Sequence, residues 1–272
     1  MNGWTRTRRD FLKVSSAALA GAALPVRLVH GRPQAGLRFG NVTHTHYADG
    51  DPRGTRHYRE SLDKLRECVI RMQTAQCAFA VELGDFKDQD EPPVEARTLS
   101  HLWEIEAVFQ RFLGPTYHVL GNHDVESISM DQFIEGVVNT GIPSDSSYYS
   151  FVQGGVQFVV LDACLTADGA PYDHGDFDYR DTNVPPQQLD WLAEELAANT
   201  LPSIVFCHQR LDGEGPLFVN NADEVRMVME RRGNVVAVFQ GHDHAGGISN
   251  IRDIHYTTLR AVVEGSGAEN NS

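Results

Sequence analysis

Five times along this chain a short apolar run ends in a polar cluster that carries histidine, aspartate or asparagine. The clusters are Thr43-His44-Thr45-His46, Gly84-Asp85, Gly121-Asn122-His123-Asp124, His208 and Gly241-His242-Asp243-His244. Short apolar runs bounded by turn formers read as buried strands. In open α/β sheets, functional side chains gather beyond the carboxyl ends of strands. The pattern therefore predicts that all five clusters meet at one place. A single His-x-His pair arises readily by chance on a surface turn; five clusters in order, each after an apolar run, do not.

The stretches between the clusters set the fold class. Leu37–Thr43, Ala78–Leu83 and Tyr117–Leu120 are predicted strands, separated by predicted helices over Tyr58–Met72 and Leu99–Leu113. The first helix carries Leu62, Leu65, Val69 and Met72 at helical spacing. Tyr148–Val152 and Val156–Leu161 flank Gln153-Gly154-Gly155 as a β-hairpin, and Pro185 opens a helix over Gln187–Leu196. Ile204–Cys207 and Val235–Phe239 are further buried strands. Such alternation describes an α/β chain, and 272 residues with 41% hydrophobic content suffice for one sizeable core.

A net charge of -14 excludes a chain that coats the backbone of a nucleic-acid polymer. It leaves open a small phosphorylated substrate neutralised locally by metal. Four cysteines without a Cys-x-x-Cys pair exclude a disulfide-built fold and a zinc knuckle. Cys68 and Cys77 flank a predicted helix-to-strand turn where a bridge is sterically open, and Cys207 is expected as a buried small side chain. The aspartate-rich stretch from Asp168 to Asn183 reads as a solvated loop or as a lid over a site.

Thr7-Arg8-Arg9-Asp10-Phe11-Leu12-Lys13, followed by the uncharged run Val14–Val26, resembles a twin-arginine export signal. The run falls short of the roughly 20 apolar residues that span a bilayer, so no stable membrane anchor is expected. Residues 1–35 are assigned as signal and linker and 36–272 as the folded domain, with the twin-arginine export machinery as a partner and the periplasm or beyond as destination. After Leu259 the chain turns polar with no further strand predicted, so either the sequence is shortened there or the last sheet edge is bare and open to pairing with another chain.

The ordered set Gly-Asp, Gly-Asn-His-Asp, a lone His and Gly-His-Asp-His resembles the calcineurin-like metallophosphoesterases over residues 37–258. Tyr47-Ala48-Asp49, Gly54-Thr55-Arg56, Tyr58-Arg59 and Gln188-Leu189-Asp190-Trp191-Leu192 are similar to the branch of manganese-dependent ADP-ribose/CDP-alcohol diphosphatases. This resemblance implies a four-layer αββα sandwich, with two mixed sheets inside and helices outside. It implies two divalent or trivalent metal ions. His44, His46, Asp85 and His244 would hold one, and Asp85, Asn122, His208 and His242 the other. Two such ions share a hydroxide that attacks phosphorus in line. By the same likeness His123 gives the proton to the leaving oxygen and Asp88 orients His123. Arg53, Arg56 and Arg59 stand where a second phosphate would be gripped.

The first ligand in this family is an aspartate, and here it is His44. Three imidazoles and one carboxylate suit zinc or iron at that position, with manganese at the other. The expected reaction is hydrolysis of a nucleotide-like diphosphate or phosphodiester. The alternatives are a phosphomonoesterase on the same site, or a non-catalytic binding protein whose metal site has decayed at His44.

Overall fold

The computed structural model describes residues 36–267; the export-signal reading falls on residues 1–35 and lies outside them. Strands β1 (Gly40–Val42), β2 (Ala80–Glu82) and β3 (Thr116–His118) form a three-stranded parallel sheet in that order. Helices α1 (Ser61–Thr74) and α2 (Glu95–Phe109) connect them, and α3 (Met130–Gly136) follows. The second half supplies β4 (Tyr149–Gln153), β5 (Val156–Val160), α4 (Pro186–Ala198), β6 (Ser203–Cys207), α5 (Ala222–Arg232), β7 (Val235–Gln240), β8 (Gly247–Ile251) and β9 (Ile254–Thr258). Its six strands run in the order β4-β5-β6-β7-β9-β8, with β5, β6, β7 and β9 parallel and the outer β4 and β8 antiparallel. Only this larger sheet is mixed.

Side-chain alternation stacks these elements into four layers. On β2, Val81 points between the sheets while Ala80 faces the helices, as a period of two requires. The inner faces meet where Phe79, Val81, Tyr117 and Val119 pack on Phe158, Val160, Ile204 and Phe206. Phe39 closes that layer edge-on to Phe158, Phe206 and Phe239, at centroid distances of 5.4, 6.0 and 5.6 Å. Leu65, Val69, Leu102, Ile105 and Phe109 cover the smaller sheet from outside. Leu192, Leu196, Val225 and Met229 cover the larger one. The expected four-layer αββα sandwich is thus the observed fold.

The sequence reading omits α3, α5 and the β8–β9 hairpin. Helix α3 opens on a capping box between Ser129 and Gln132. Helix α5 carries Asp223 and Glu224 in its first turn and Arg231 and Arg232 in its last, complementary to the helix dipole. The hairpin turns through Arg252 and Asp253, both in the left-handed region at φ 51° and 65°.

Residues 259–267 are a built wall rather than a loose end. Val262 and Val263 donate to the carbonyls of Thr43 and His44, at 3.2 and 2.9 Å. The buried Lys64 ammonium donates to the carbonyls of Val262, Glu264 and Gly265 at 2.9, 3.0 and 2.5 Å. The edge strands of the large sheet are β4 and β8, and Ile248 on β8 is exposed. All four cysteines are free thiols, Cys68 and Cys77 included, and Cys207 is buried as expected.

Candidate metal centre

Every predicted cluster lies just past the carboxyl end of its strand, β1, β2 and β3 in the small sheet and β6 and β7 in the large one. Backbone bonds hold the loops in contact: His44 donates to Gly84 O at 3.0 Å and His46 to Asp85 O at 2.9 Å. Glycine lets the loops come this close. At Gly121 a Cβ would lie 2.3 Å from Asp85 N and 2.5 Å from Asp85 Oδ1; at Gly84, where φ is +91°, it would lie 2.5 Å from His208 Nδ1.

Three imidazoles converge on one carboxylate oxygen. Asp85 Oδ2 is 3.2 Å from His208 Nε2, 3.5 Å from His44 Nε2 and 3.6 Å from His46 Nε2. His244 joins His44 and His46, with ring centroids 4.5 and 5.2 Å away, and His242 Nδ1 lies 3.2 Å from His208 Nε2. Asn122 lines the same cleft.

Three of the rings are hydrogen-bonded through Nδ1 to an oxygen, Thr43 Oγ1 for His44 at 3.0 Å, Leu83 O for His208 at 2.7 Å and Glu264 for His244 at 2.6 Å. Such a bond sets the tautomer and leaves Nε2 to face a metal. The Asp88 carboxylate stands 3.3 Å from His46 Nδ1 as an ion-pair neighbour.

The donor set fits metal on its own terms. His44 Nε2, His46 Nε2, Asn122 Oδ1 and His242 Nε2 are buried without a hydrogen-bond partner, an arrangement that is unfavourable by about 1–3 kcal/mol per group unless something accepts their lone pairs. Two bare ring nitrogens at the His208–His242 distance repel unless a proton or cation stands between them. His44, His46, Asp85 and His242 also hold φ values of 54°, 44°, 58° and 63°, a strained region for such side chains that persists where the surroundings impose it.

Protonation states agree for four of the five ligand imidazoles, whereas at His208 the downward pull of burial is outweighed by Asp85, which raises it. Burial pushes His44 well below its ordinary value, His46 down to about 4, His242 down to about 3, and His244 down in the same direction. Neutral imidazole is the ligating form. Burial alone would raise the Asp85 carboxyl; His208, His123 and His46 outweigh it and hold Asp85 well below the usual carboxylate range. Against the downward pull of burial, Asp85 and Glu126 hold His123 up at about 9.

Residues 38–246 match the calcineurin-like phosphoesterase family. The chain belongs to that family. A manganese-dependent ADP-ribose/CDP-alcohol diphosphatase of Oryza sativa is 29% identical over 273 residues, covering 83% of each chain, and one of Arabidopsis thaliana is 24% identical over 269 residues, covering 83% of this chain and 86% of its own. A dimetal phosphatase from Danio rerio superposes with a TM-score of 0.71 at 22% identity, over 84% of this chain and 88% of that one, a likeness of fold. This calcineurin-like phosphoesterase is accordingly a metal-dependent phosphohydrolase.

Two placements differ from the sequence reading. Asp88 stands nearest His46, its amide tied to Tyr47 O at 2.9 Å and its carboxylate 3.3 Å from His46 Nδ1, with a ring nitrogen of His123 within 4.8 Å. The carboxylate on His123 is Glu126, with Oε2 3.0 Å from Nδ1. The three arginines also part company. Arg56 lines the phosphoesterase's metal cleft, whereas Arg53 pairs with Glu91 at 2.8 Å and Arg59 with Asp49 and Asp51 at 2.5 and 2.6 Å, beside a separate hollow.

The cleft is closed on one side by the aspartate-rich loop. Phe177 and Tyr179 face the metal loops, with Tyr179 5.9 Å from the His242 ring, while Phe177 is stacked on buried Tyr172 at 4.0 Å. Asp168, Asp173, Asp176 and Asp178 point to solvent. The loop therefore acts as wall and solvated surface together. The sequence reading gave no role to Glu126, Glu264, Phe177 or Tyr179. Glu126, three residues after His123, was the most legible of these.

Proposed function

We propose that this phosphoesterase hydrolyses a nucleotide-like diphosphate or phosphodiester at a dinuclear centre. The observation that carries the reading is the convergence of three imidazole nitrogens on Asp85 Oδ2 beside buried, unpartnered ligand atoms. His44, His46, Asp85 and His244 would hold one ion, and Asp85, Asn122, His208 and His242 the other. Two bound cations supply Lewis acidity toward the phosphoryl oxygens and an activated water at neutral pH.

The chain's own residues do the rest. Arg56, partly exposed in the cleft beside Glu264, grips the distal phosphate by charge-assisted hydrogen bonds. His123 delivers the proton to the leaving oxygen. Tyr179 offers an aromatic face to a base, which supports a nucleotide over a simple ester. The relatives named as ADP-ribose/CDP-alcohol diphosphatases support the same substrate class.

Rates on ADP-ribose, bis(4-nitrophenyl) phosphate and 4-nitrophenyl phosphate test it. The diphosphate is expected to turn over fastest; a preference for 4-nitrophenyl phosphate would make the enzyme a phosphomonoesterase. Turnover of none of them by manganese-, zinc- or iron-loaded protein would end the proposal.

Export follows from Arg8 and Arg9. A twin-arginine route carries folded cargo, which suits a protein that acquires its metals before crossing the membrane. Replacing both arginines by lysine is expected to retain the protein in the cytoplasm, as fractionation would show.

A further inference from the structure

The proton donor stands on a short turn with a partner of its own. His123–Val125 form one turn of 3-10 helix, closed by Glu126 N donating to His123 O at 3.3 Å. Three residues per turn align side chains at i and i+3, and His123 Nδ1 and Glu126 Oε2 meet at 3.0 Å. The turn is held from beneath. The buried Lys87 ammonium donates to the carbonyls of His123 and Glu126 at 2.5 and 2.7 Å. Between them, the Asp124 carboxylate accepts from the amides of Asp85, Phe86, Lys87 and Gly121 at 2.9, 2.7, 3.3 and 2.9 Å. Both His123 and Glu126 line the cleft.

We infer that Glu126 is the positioning residue of the proton donor, holding His123 through Nδ1 so that Nε2 serves the leaving oxygen. Asp88, the carboxylate at the Gly-Asp-x-x-Asp spacing, is engaged with His46 at 3.3 Å. The inference rests on the hydrolase reading. In the step, a water oxygen bonds to phosphorus and the bond from phosphorus to the leaving oxygen breaks, with its electron pair going to that oxygen. The leaving oxygen takes the Nε2 proton of His123, and the attacking water releases one proton to solvent. An acid of this kind matters most when the leaving group is poor.

The test compares the wild type, Glu126→Ala, Glu126→Gln and His123→Ala on phenyl phosphate and 4-nitrophenyl phosphate and on the matching diesters. Glu126→Ala is expected to lower kcat on the phenyl esters by about 10- to 100-fold at unchanged KM, but on the nitrophenyl esters by less than about 3-fold. Glutamine still accepts the Nδ1 proton, so Glu126→Gln recovers most of the loss. In metal-free protein, NMR is expected to find a slowly exchanging His123 Nδ1 proton in the wild type and Glu126→Gln, missing in Glu126→Ala and His123→Ala. Equal losses on both leaving groups, or an Nδ1 proton that survives in Glu126→Ala, would overturn the assignment. If the wild type turns over neither these esters nor ADP-ribose, the hydrolase reading fails, and the NMR comparison still decides the Glu126 contact.

Discussion

Asp88 places Oδ2 3.3 Å from Nδ1 of His46, on the side of the ring away from Asp85. A carboxylate there makes the ring a better donor and compensates charge that the missing first aspartate would have carried. Asp88→Asn is expected to weaken binding of the ion assigned to His44, His46, Asp85 and His244 by about 10- to 100-fold, the usual effect of removing a ligand's outer partner. Calorimetric titration of metal-free protein with manganese and with zinc checks this.

Metal choice is expected to depend on His44. With one carboxylate among the direct donors, zinc or iron should outcompete manganese at the position held by His44, His46 and His244. Elemental analysis after loading from an equimolar mixture reads the result; manganese filling that position as readily as zinc or iron contradicts it. His44→Asp is expected to shift the ratio toward manganese.

Gly121→Ala forces a methyl group to within 2.3 Å of a backbone amide that cannot swing away. It is expected to lower stability by at least about 2 kcal/mol. The mutant should also lose most of the rise in Tm that metal gives the wild type, measured with and without chelator.

Beneath the site, His118 lies between two buried acids, with Nε2 3.1 Å from Glu106 and Nδ1 3.6 Å from Glu82. Burial alone would lower His118; Glu106 and Glu82 outweigh it and raise the ring to about 9, while burial lifts Glu82 to about 8. A raised histidine stabilises the fold fully below its unfolded value near 6.5 and loses that contribution as pH rises through 9. Glu82 acts in the same direction, because the unfolded chain gives up that proton first. Stability should therefore fall between pH 6.5 and 9, and His118→Gln should flatten the fall by on the order of 1–3 kcal/mol, read from urea unfolding at both pH values.

Tyr179→Ala is expected to raise KM for ADP-ribose by about 5- to 100-fold, the value of one base stacked on an aromatic ring. KM for 4-nitrophenyl phosphate should stay as it is. Steady-state kinetics on the two substrates separate the outcomes.

The fold and the cage were legible because both follow from short-range pattern. An apolar run ending in Gly-Asp or Gly-Asn-His states a strand, a turn and a ligand together. Pairings across the chain were less legible. Asp88 sits three residues from Asp85, yet it stands nearest His46 with its amide on Tyr47 O, a placement that no spacing announces. Arg53, Arg56 and Arg59 share a stretch of sequence but turn to different neighbours. Glu264 lay in a segment read as polar and strandless; its role depends on residues 261–263 running back along β1's loop. The β8–β9 hairpin was hidden because its turn uses Arg252 and Asp253 where glycine or asparagine would have signalled it.

Glu264 reaches His244 from a point in the chain beyond both sheets. During synthesis, every ligand-bearing loop is made before the group that steadies the last imidazole. The His244 side of the cage therefore reaches its final form only after residue 264 has left the ribosome, later than any of the ligand-bearing loops.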